Sequence, residues 1–183
     1  ITVPVQKHSR DIIIKDILIE NPAVCREKIL GQLISSYKKR APYFKQVIAM
    51  VDEALSQEIT DITSLNVFTL KQVCEYLEIP FNYEIFSTMN LDILPVHDAG
   101  EWALNISHAL QADEYINPPG GMGLFDRKKF DNFNIELSFL KINLTPYNQK
   151  KASFIEGLSI IDVMMFNSPK TILKMLDDFT ILK

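Results

Sequence analysis

The chain has 183 residues, which is the length of one ordinary domain or at most two very small ones. It carries 19 Lys and Arg against 23 Asp and Glu, and this net charge of −4 argues against a nucleic-acid-binding surface, which needs a basic excess. Hydrophobic residues make up 47% of the chain, as in folded globular proteins, yet no apolar run reaches the roughly 20 residues that span a bilayer. We therefore expect a soluble, folded protein without membrane insertion.

The two cysteines, Cys25 and Cys74, are too few for a disulfide framework and are not spaced as metal ligands. This usage is typical of the reducing cytoplasm, and we expect both thiols to be buried as small hydrophobic groups. The three histidines are not clustered with cysteines, so no dedicated zinc site is predicted. The sequence does not indicate a cofactor.

The N-terminal half is predicted to form a hairpin followed by three amphipathic helices. Residues 1–6 and 11–19 are rich in β-branched residues and flank a polar turn, which indicates two paired strands. A helix then opens at Asn21 and Pro22, and its predicted apolar face comprises Val24, Leu30, Leu33, Ile34 and Tyr37. The other two helices are expected over residues 43–55 and 62–77, the last with Leu70, Val73, Cys74 and Leu77 facing inward.

The C-terminal half alternates predicted strands and helices. Strands are expected over residues 83–88, 114–117 and 134–142, and helices over 96–111, 126–130, 158–166 and 169–179. In the helix over 96–111, helical spacing places Trp102, Ile106 and Leu110 on one face, which we expect to be buried. The sequence therefore predicts one α/β domain over residues 1–183: a mixed sheet, amphipathic helices packed on it, and a helical C-terminal end.

Three of the six glycines, Gly120, Gly121 and Gly123, lie between a predicted strand and a helix start. Such a turn could present backbone N–H groups to a phosphate or carboxylate. Its spacing matches neither the dinucleotide fingerprint nor a Walker loop, so a plain tight turn is the alternative interpretation.

Two ionisable residues are candidates for catalysis. His97 precedes Asp98 at a helix entrance and could act as a general base, because imidazole titrates near neutral pH; the alternative is a loop histidine facing solvent. Asp162 lies inside the apolar run 158–166, where a carboxylate must find a partner or face water. It is either a site carboxylate, or an exposed or internally hydrogen-bonded residue of an amphipathic helix.

Several motifs occur in a characteristic order along the chain. They are TVPV at 2–5, APYF at 41–44, DEYINPPGG at 113–121, LFD at 124–126, IELSFL at 135–140, YNQ at 147–149 and LSIID at 158–162. In this order they resemble the WbqC-like family of bacterial proteins, which are often encoded beside genes for O-antigen and other surface polysaccharides. The resemblance covers nearly the whole chain.

The resemblance implies an enzyme of surface-polysaccharide biosynthesis, with acyl or aminoacyl transfer to an activated amino sugar as the leading hypothesis. Its expected partners are a nucleotide-activated sugar or an acyl donor. The alternative is a non-catalytic binding or scaffold protein of the same pathway. Within the matching motifs we expect ligand-binding roles for uncharged or capping residues: Tyr115, Asn117, Gly120, Gly121, Asp126, Tyr147, Gln149 and Ser159. Asp126 and Ser159 are also helix-cap candidates, and His97 and Asp162 are the candidate catalytic residues.

The chain departs from the family pattern in two places. Family members usually carry an upstream segment with a Gln-Pro…Pro motif, which this polypeptide lacks, and many have Trp and His where it has Cys25 and Ile29. We expect the first strand to be left as an open edge, which favours a homodimer or aggregation.

Overall fold

The computed structural model describes all residues from 1 to 183. Contacts between Cα atoms divide the chain into two compact units, whose segments alternate along the sequence. The first unit comprises residues 1–82 and 144–174, and the second comprises residues 83–143 and 175–183. The chain combines helices with a mixed sheet, which confirms the predicted α/β class.

The first unit begins with extended segments that touch at single bridges. Val5 pairs with Ile19, and Leu18 pairs with Asp61, both antiparallel. The predicted two-stranded hairpin is wrong as a regular ladder, because Pro4 has no N–H to donate. Residues 17–19 bond instead to the chain before the third helix, where the Ile19 N–H donates to the Thr60 carbonyl.

Three helices follow: α1 (Pro22–Tyr37), α2 (Phe44–Ser56) and α3 (Ile62–Tyr76). Pro22 starts α1, as predicted, since the first helical position needs no N–H donor. The face that α1 buries consists of Cys25, Ile29 and Leu33, spaced four residues apart. Of the predicted face only Leu33 is fully buried, and Val24 and Ile34 are exposed. The predicted burial of the thiol is confirmed for Cys25. Cys74 is only half-buried.

The core of the first unit also contains residues of α2, α3 and α6 (Ile160–Phe166). Helical spacing in α2 predicts an inward stripe of Phe44, Val47, Ile48, Val51 and Leu55, of which Val47 and Val51 are buried. In α3 the inward residues are Leu65 and the following Leu77, and Leu70 is exposed, contrary to prediction. The core cluster contains Ala41, Val47, Leu77, Met164, Met165, Phe166 and Ile172. The last of these belongs to α7 (Pro169–Leu176).

The second unit is built on a three-stranded sheet with the order β1 (Glu114–Asn117), β2 (Glu136–Ile142), β3 (Phe179–Leu182). Strand β1 runs parallel to β2, and β3 is antiparallel to it. The sheet packs on α4 (Ala99–Ala109) and α5 (Arg127–Asn132). The core between them consists of Leu104, Phe130, Ile135, Leu137 and Phe139. The helix predicted over residues 169–179 ends at Leu176, and Phe179, its last predicted residue, begins β3.

The buried face of α4 differs from the predicted one. Trp102 and Leu110 are 49% and 51% exposed, so their predicted burial is wrong. The buried positions are Gly100, Leu104, Asn105 and Ser107. A side chain at Gly100 would collide with the Leu124 carbonyl. The helix can therefore pack closely against the Leu124 backbone only because residue 100 is glycine. The Asn105 amide donates to the carbonyls of Leu94 and Pro95, at 3.0 Å each, and this satisfies its burial.

The segment predicted as a strand over residues 83–88 contains one 3₁₀ turn, Phe86–Thr88. Phe86 makes an edge-to-face contact with Trp102, with ring centroids 5.9 Å apart. None of the helices is both long enough and apolar enough to cross a membrane.

Candidate functional site

Asp162 lies at the centre of a buried polar network in the first unit, although it belongs to the first turn of an otherwise apolar helix. Its side chain is only 3% exposed. One carboxylate oxygen accepts the Tyr37 hydroxyl at 2.6 Å. The other accepts the Tyr147 hydroxyl at 2.7 Å and the Gln149 amide nitrogen at 3.2 Å. We call Tyr37, Tyr147, Gln149 and Asp162 the Asp162 network; three donors satisfy its buried carboxylate.

Gln149 ties the irregular segment 144–158 to this network. Its amide nitrogen also donates to the Ile155 carbonyl at 2.9 Å, and its amide oxygen accepts the Ile155 N–H at 2.9 Å. The backbone carbonyl of Gln149 accepts from the Arg40 guanidinium at 2.7 Å. That guanidinium lies over the rings of Tyr37 and Phe166, at 5.0 and 5.2 Å from their centroids, in cation–π geometry.

The two tyrosines of the network stay protonated over the physiological range. Burial, followed by the hydrogen bond and charge of Asp162, raises the pKa of Tyr37 well above its ordinary value. Burial, opposed by the hydrogen bond from the Gln149 amide and assisted by the hydrogen bond and charge of Asp162, raises the pKa of Tyr147 to about 12. Both hydroxyls are therefore donors, and three of the roughly four lone-pair sites of the Asp162 carboxylate are engaged within the protein.

A cleft of about 570 Å³ opens in the same unit, between the N-terminal segment, α2, α3 and the start of α6. Most of its lining side chains are apolar, and the polar ones are Thr2, Asn66, Thr69, Gln72 and Ser159. A volume of this size and a lining of this kind are typical of small-molecule sites. Ser159 is the one predicted site residue in the cleft wall, and it also caps α6 by accepting the Ile161 N–H at 3.3 Å.

The second unit contains the glycine turn, which forms a 3₁₀ segment, Pro119–Leu124. A side chain at Gly121 would meet the Asn117 amide and the Phe125 ring, so a larger residue there would have to displace the Asn117 side chain. Nothing lies within 4 Å of the corresponding position at Gly120. Tyr115 donates to the Asn117 side-chain oxygen at 3.3 Å, a hydrogen bond between two residues of β1.

Asp126 caps α5, as predicted, by accepting the Lys128 N–H at 3.0 Å. The side chain itself is exposed. The capping role accounts for this residue without a ligand.

His97 is exposed, and its neighbour Asp98 does not pair with it. The Asp98 carboxylate caps α4 by accepting from the Gly100 and Glu101 N–H groups, and it forms an ion pair with Lys129 at 2.8 Å. Lys129 also binds Glu101 at 2.6 Å. We call Asp98, Glu101 and Lys129 the Lys129 cluster; it joins α5 to the start of α4. Asp98 is thereby committed to structure and is not the acid that orients the imidazole.

The predicted site residues fall into two groups that belong to different units. Tyr147, Gln149 and Asp162 meet in the first unit. Tyr115, Asn117 and Gly121 meet in the second. Tyr37 and Arg40 complete the first group but were missed as site residues. The sequence reasoning used Tyr37 as part of an apolar stripe and Arg40 as a helix-end charge, and no local pattern links either to a residue more than 100 positions away.

The cleft-lining residues of α3, Asn66, Thr69 and Gln72, were also missed, because polar residues along a helix are usually read as its solvent face. The structure contains no group of three or more His, Cys, Asp or Glu side chains placed to hold a metal ion.

The comparison with family models places the chain. The model of the WbqC-like protein family matches residues 1–174, so nearly the whole polypeptide is covered. The chain belongs to the WbqC-like protein family. Searches of curated proteins and of solved structures found no significant match.

Proposed function

We propose that this protein is an enzyme of bacterial surface-polysaccharide biosynthesis that transfers an acyl or aminoacyl group to an activated amino sugar. The surface-polysaccharide setting follows from what the family resemblance implies. The observation that supports a group-transfer role is the cleft of about 570 Å³, because its apolar lining with a few neutral polar groups suits the organic part of a transferred group.

In the proposed reaction the sugar amine attacks the carbonyl carbon of the activated acyl group. A C–N bond forms, the bond to the donor's leaving group breaks, and the amine loses one proton. His97 stays the proposed general base for that proton, the role that its position in the sequence predicts. Asp162 keeps its candidacy as a positioning residue, because its oxygens already hold Tyr37, Tyr147 and Gln149.

The test is a transfer assay followed by mass spectrometry. The 183-residue chain is incubated with nucleotide-activated amino sugars and with acyl and aminoacyl thioesters, and the molecular mass of the sugar product is measured. We expect a mass increase equal to the transferred group. The variant His97→Ala should lose most of this product, whereas His8→Ala, which changes an equally exposed histidine, should not. Equal product from both variants would remove His97 from the proposal.

A non-catalytic binding or scaffold role in the same pathway is the second candidate. It is favoured by the internal use of the polar groups beside the cleft, since Ser159 caps α6 and Asp162 accepts three hydrogen bonds from within the protein. Saturable binding of a donor or acceptor without any mass change, under all donor combinations, would support this candidate and contradict the transferase.

A further inference from the structure

The apolar cleft of the first unit has a buried floor and an exposed rim. Ile29, Val51 and Leu65 are buried and form part of the floor. Leu70, Asn66 and Ser159 are exposed and lie at the rim. A ligand that fills the cleft therefore places its innermost atoms against aliphatic carbon.

No charged side chain lines this cleft. The neighbouring cleft, of about 510 Å³, shares Ile1, Thr2 and Ile29 with it but carries Glu20 and Lys28. The two clefts therefore share a wall, but only the neighbouring one has charged side chains in its lining. An aminoacyl group carries an ammonium at neutral pH, and burying that charge without a carboxylate is strongly unfavourable.

The few polar groups of the apolar cleft are also partly occupied. The Thr69 hydroxyl already donates to the Asn66 carbonyl at 3.0 Å. The Ser159 oxygen accepts the Ile161 N–H, but its own proton remains available for donation at the rim. Neutral donors at the mouth, the Ser159 hydroxyl and the Asn66 amide, with carbon below them match an acyl carbonyl followed by its hydrocarbon chain.

We infer that the apolar cleft binds the hydrocarbon chain of a straight-chain acyl group, and that the transferred group is a fatty acyl rather than an aminoacyl group. The claim that this acyl group is transferred rests on the proposed function. The claim that its chain binds in the cleft rests on the cleft alone.

The binding test uses straight-chain carboxylates of six, eight and ten carbons, titrated calorimetrically into the 183-residue chain below their micelle concentrations. Each buried methylene is worth roughly 0.8 kcal/mol, which converts to about fourfold in affinity, so each added pair of carbons should tighten binding about fifteenfold until the cleft is filled. The matched probe is 8-aminooctanoate, which has the same chain length as octanoate but a terminal ammonium. We expect it to bind at least tenfold more weakly than octanoate. Equal affinity of the two probes, or no dependence on chain length, would overturn the inference.

Two variants locate the binding in this cleft. Thr69→Trp places an indole in the cleft, and Leu70→Asp adds a charge at its exposed rim, where folding tolerates a polar residue. Both should weaken decanoate binding at least tenfold. The control is Lys71→Trp, which alters an exposed residue of the same helix outside the cleft and should leave the affinity unchanged. Unaltered decanoate binding by folded Leu70→Asp would place the chain elsewhere and refute the assignment.

The outcomes separate this inference from the proposed function. Chain-length-dependent binding without any transfer supports the acyl site and contradicts the transferase. Transfer of an aminoacyl group by a chain that does not bind alkanoates supports the transferase and overturns the acyl site.

Discussion

The Asp162 network of the first unit and the Lys129 cluster of the second both use carboxylates to join parts of the chain that are distant in sequence. In the network, neutral hydroxyl and amide donors surround a buried carboxylate. In the cluster, a lysine lies between two carboxylates that water reaches. A hydrogen bond to a buried charge is costly to leave unmade, whereas solvent and salt weaken an exposed ion pair. Similar distances therefore predict very different contributions to stability.

The largest expected effect comes from Asp162→Ala, which leaves the three donors of the network without their acceptor. We expect the free energy of unfolding to fall by about 3–5 kcal/mol, because each buried or half-buried donor that loses its acceptor costs about 1–3 kcal/mol. Urea denaturation followed by circular dichroism measures the change. Asp162→Asn is the matched control, because it keeps the shape and one acceptor oxygen and should lose less. A midpoint for the alanine variant equal to that of the parent would mean that the network is not structural.

A purely apolar benchmark comes from α4 in the second unit. Leu104→Ala removes a buried side chain from the core beneath the sheet, and it should cost about 2–5 kcal/mol. Leu110→Ala, a substitution on the half-exposed face of the helix, should cost about 0.5 kcal/mol or less. Chemical denaturation of the two variants tests the orientation of the helix. A larger loss of stability in Leu110→Ala than in Leu104→Ala would contradict that orientation.

Alkaline pH should weaken the Asp162 network selectively. The pKa of Tyr147 is raised in the folded state to about 12 from its ordinary value of 10.0, so the folded state favours the protonated hydroxyl. Its contribution to stability is therefore fully present below pH 10 and is lost as the pH rises towards 12, because the unfolded chain loses its proton first. We expect Tyr147→Phe to flatten the decline in thermal midpoint over this interval. A parallel decline in variant and parent would assign the loss to other groups.

The smallest effect is expected from the Lys129 cluster. Hydrogen bonds from Lys129 lower the pKa of Asp98 and Glu101 below their ordinary values, so this contribution is present at neutral pH and is lost as the pH falls through the lowered pKa values. Lys129→Met should shift the thermal midpoint only slightly, and less at 1 M salt than at low salt. A large shift that does not depend on salt would show that the cluster resembles the buried network.

Much of the local structure could be predicted from the sequence. Pro22 at a helix start, the Asp126 cap and the buried residues Val47 and Val51 of α2 all depend on neighbours within about one helical turn. The extended segment 114–117 was also predicted with its observed bounds. Such features persist because the interactions that specify them lie within the same short stretch of chain.

The orientation of α4 shows where local pattern fails. Hydrophobic spacing favoured Trp102 and Leu110 as the inner face, yet the helix buries Gly100 and Asn105. The close approach of Gly100 to the Leu124 carbonyl and the bonds from Asn105 to the loop that precedes the helix outweigh the periodicity. Likewise, residues 179–182 form a strand because Ile142 and its neighbours in β2 offer a free edge for pairing. The local sequence does not predict this pairing.

The candidate site divides along the same line. The sequence by itself identified Tyr147, Gln149 and Asp162 as residues that a hydrophobic core does not require, and its motifs identified the family. Only the tertiary structure brought Tyr37 to Asp162 across 125 positions, enclosed the apolar cleft, and assigned Asp98 to a helix cap rather than to His97. Backbone propensities and caps are decided within a few residues, whereas the partner of a buried polar group is decided by whichever distant segment packs beside it.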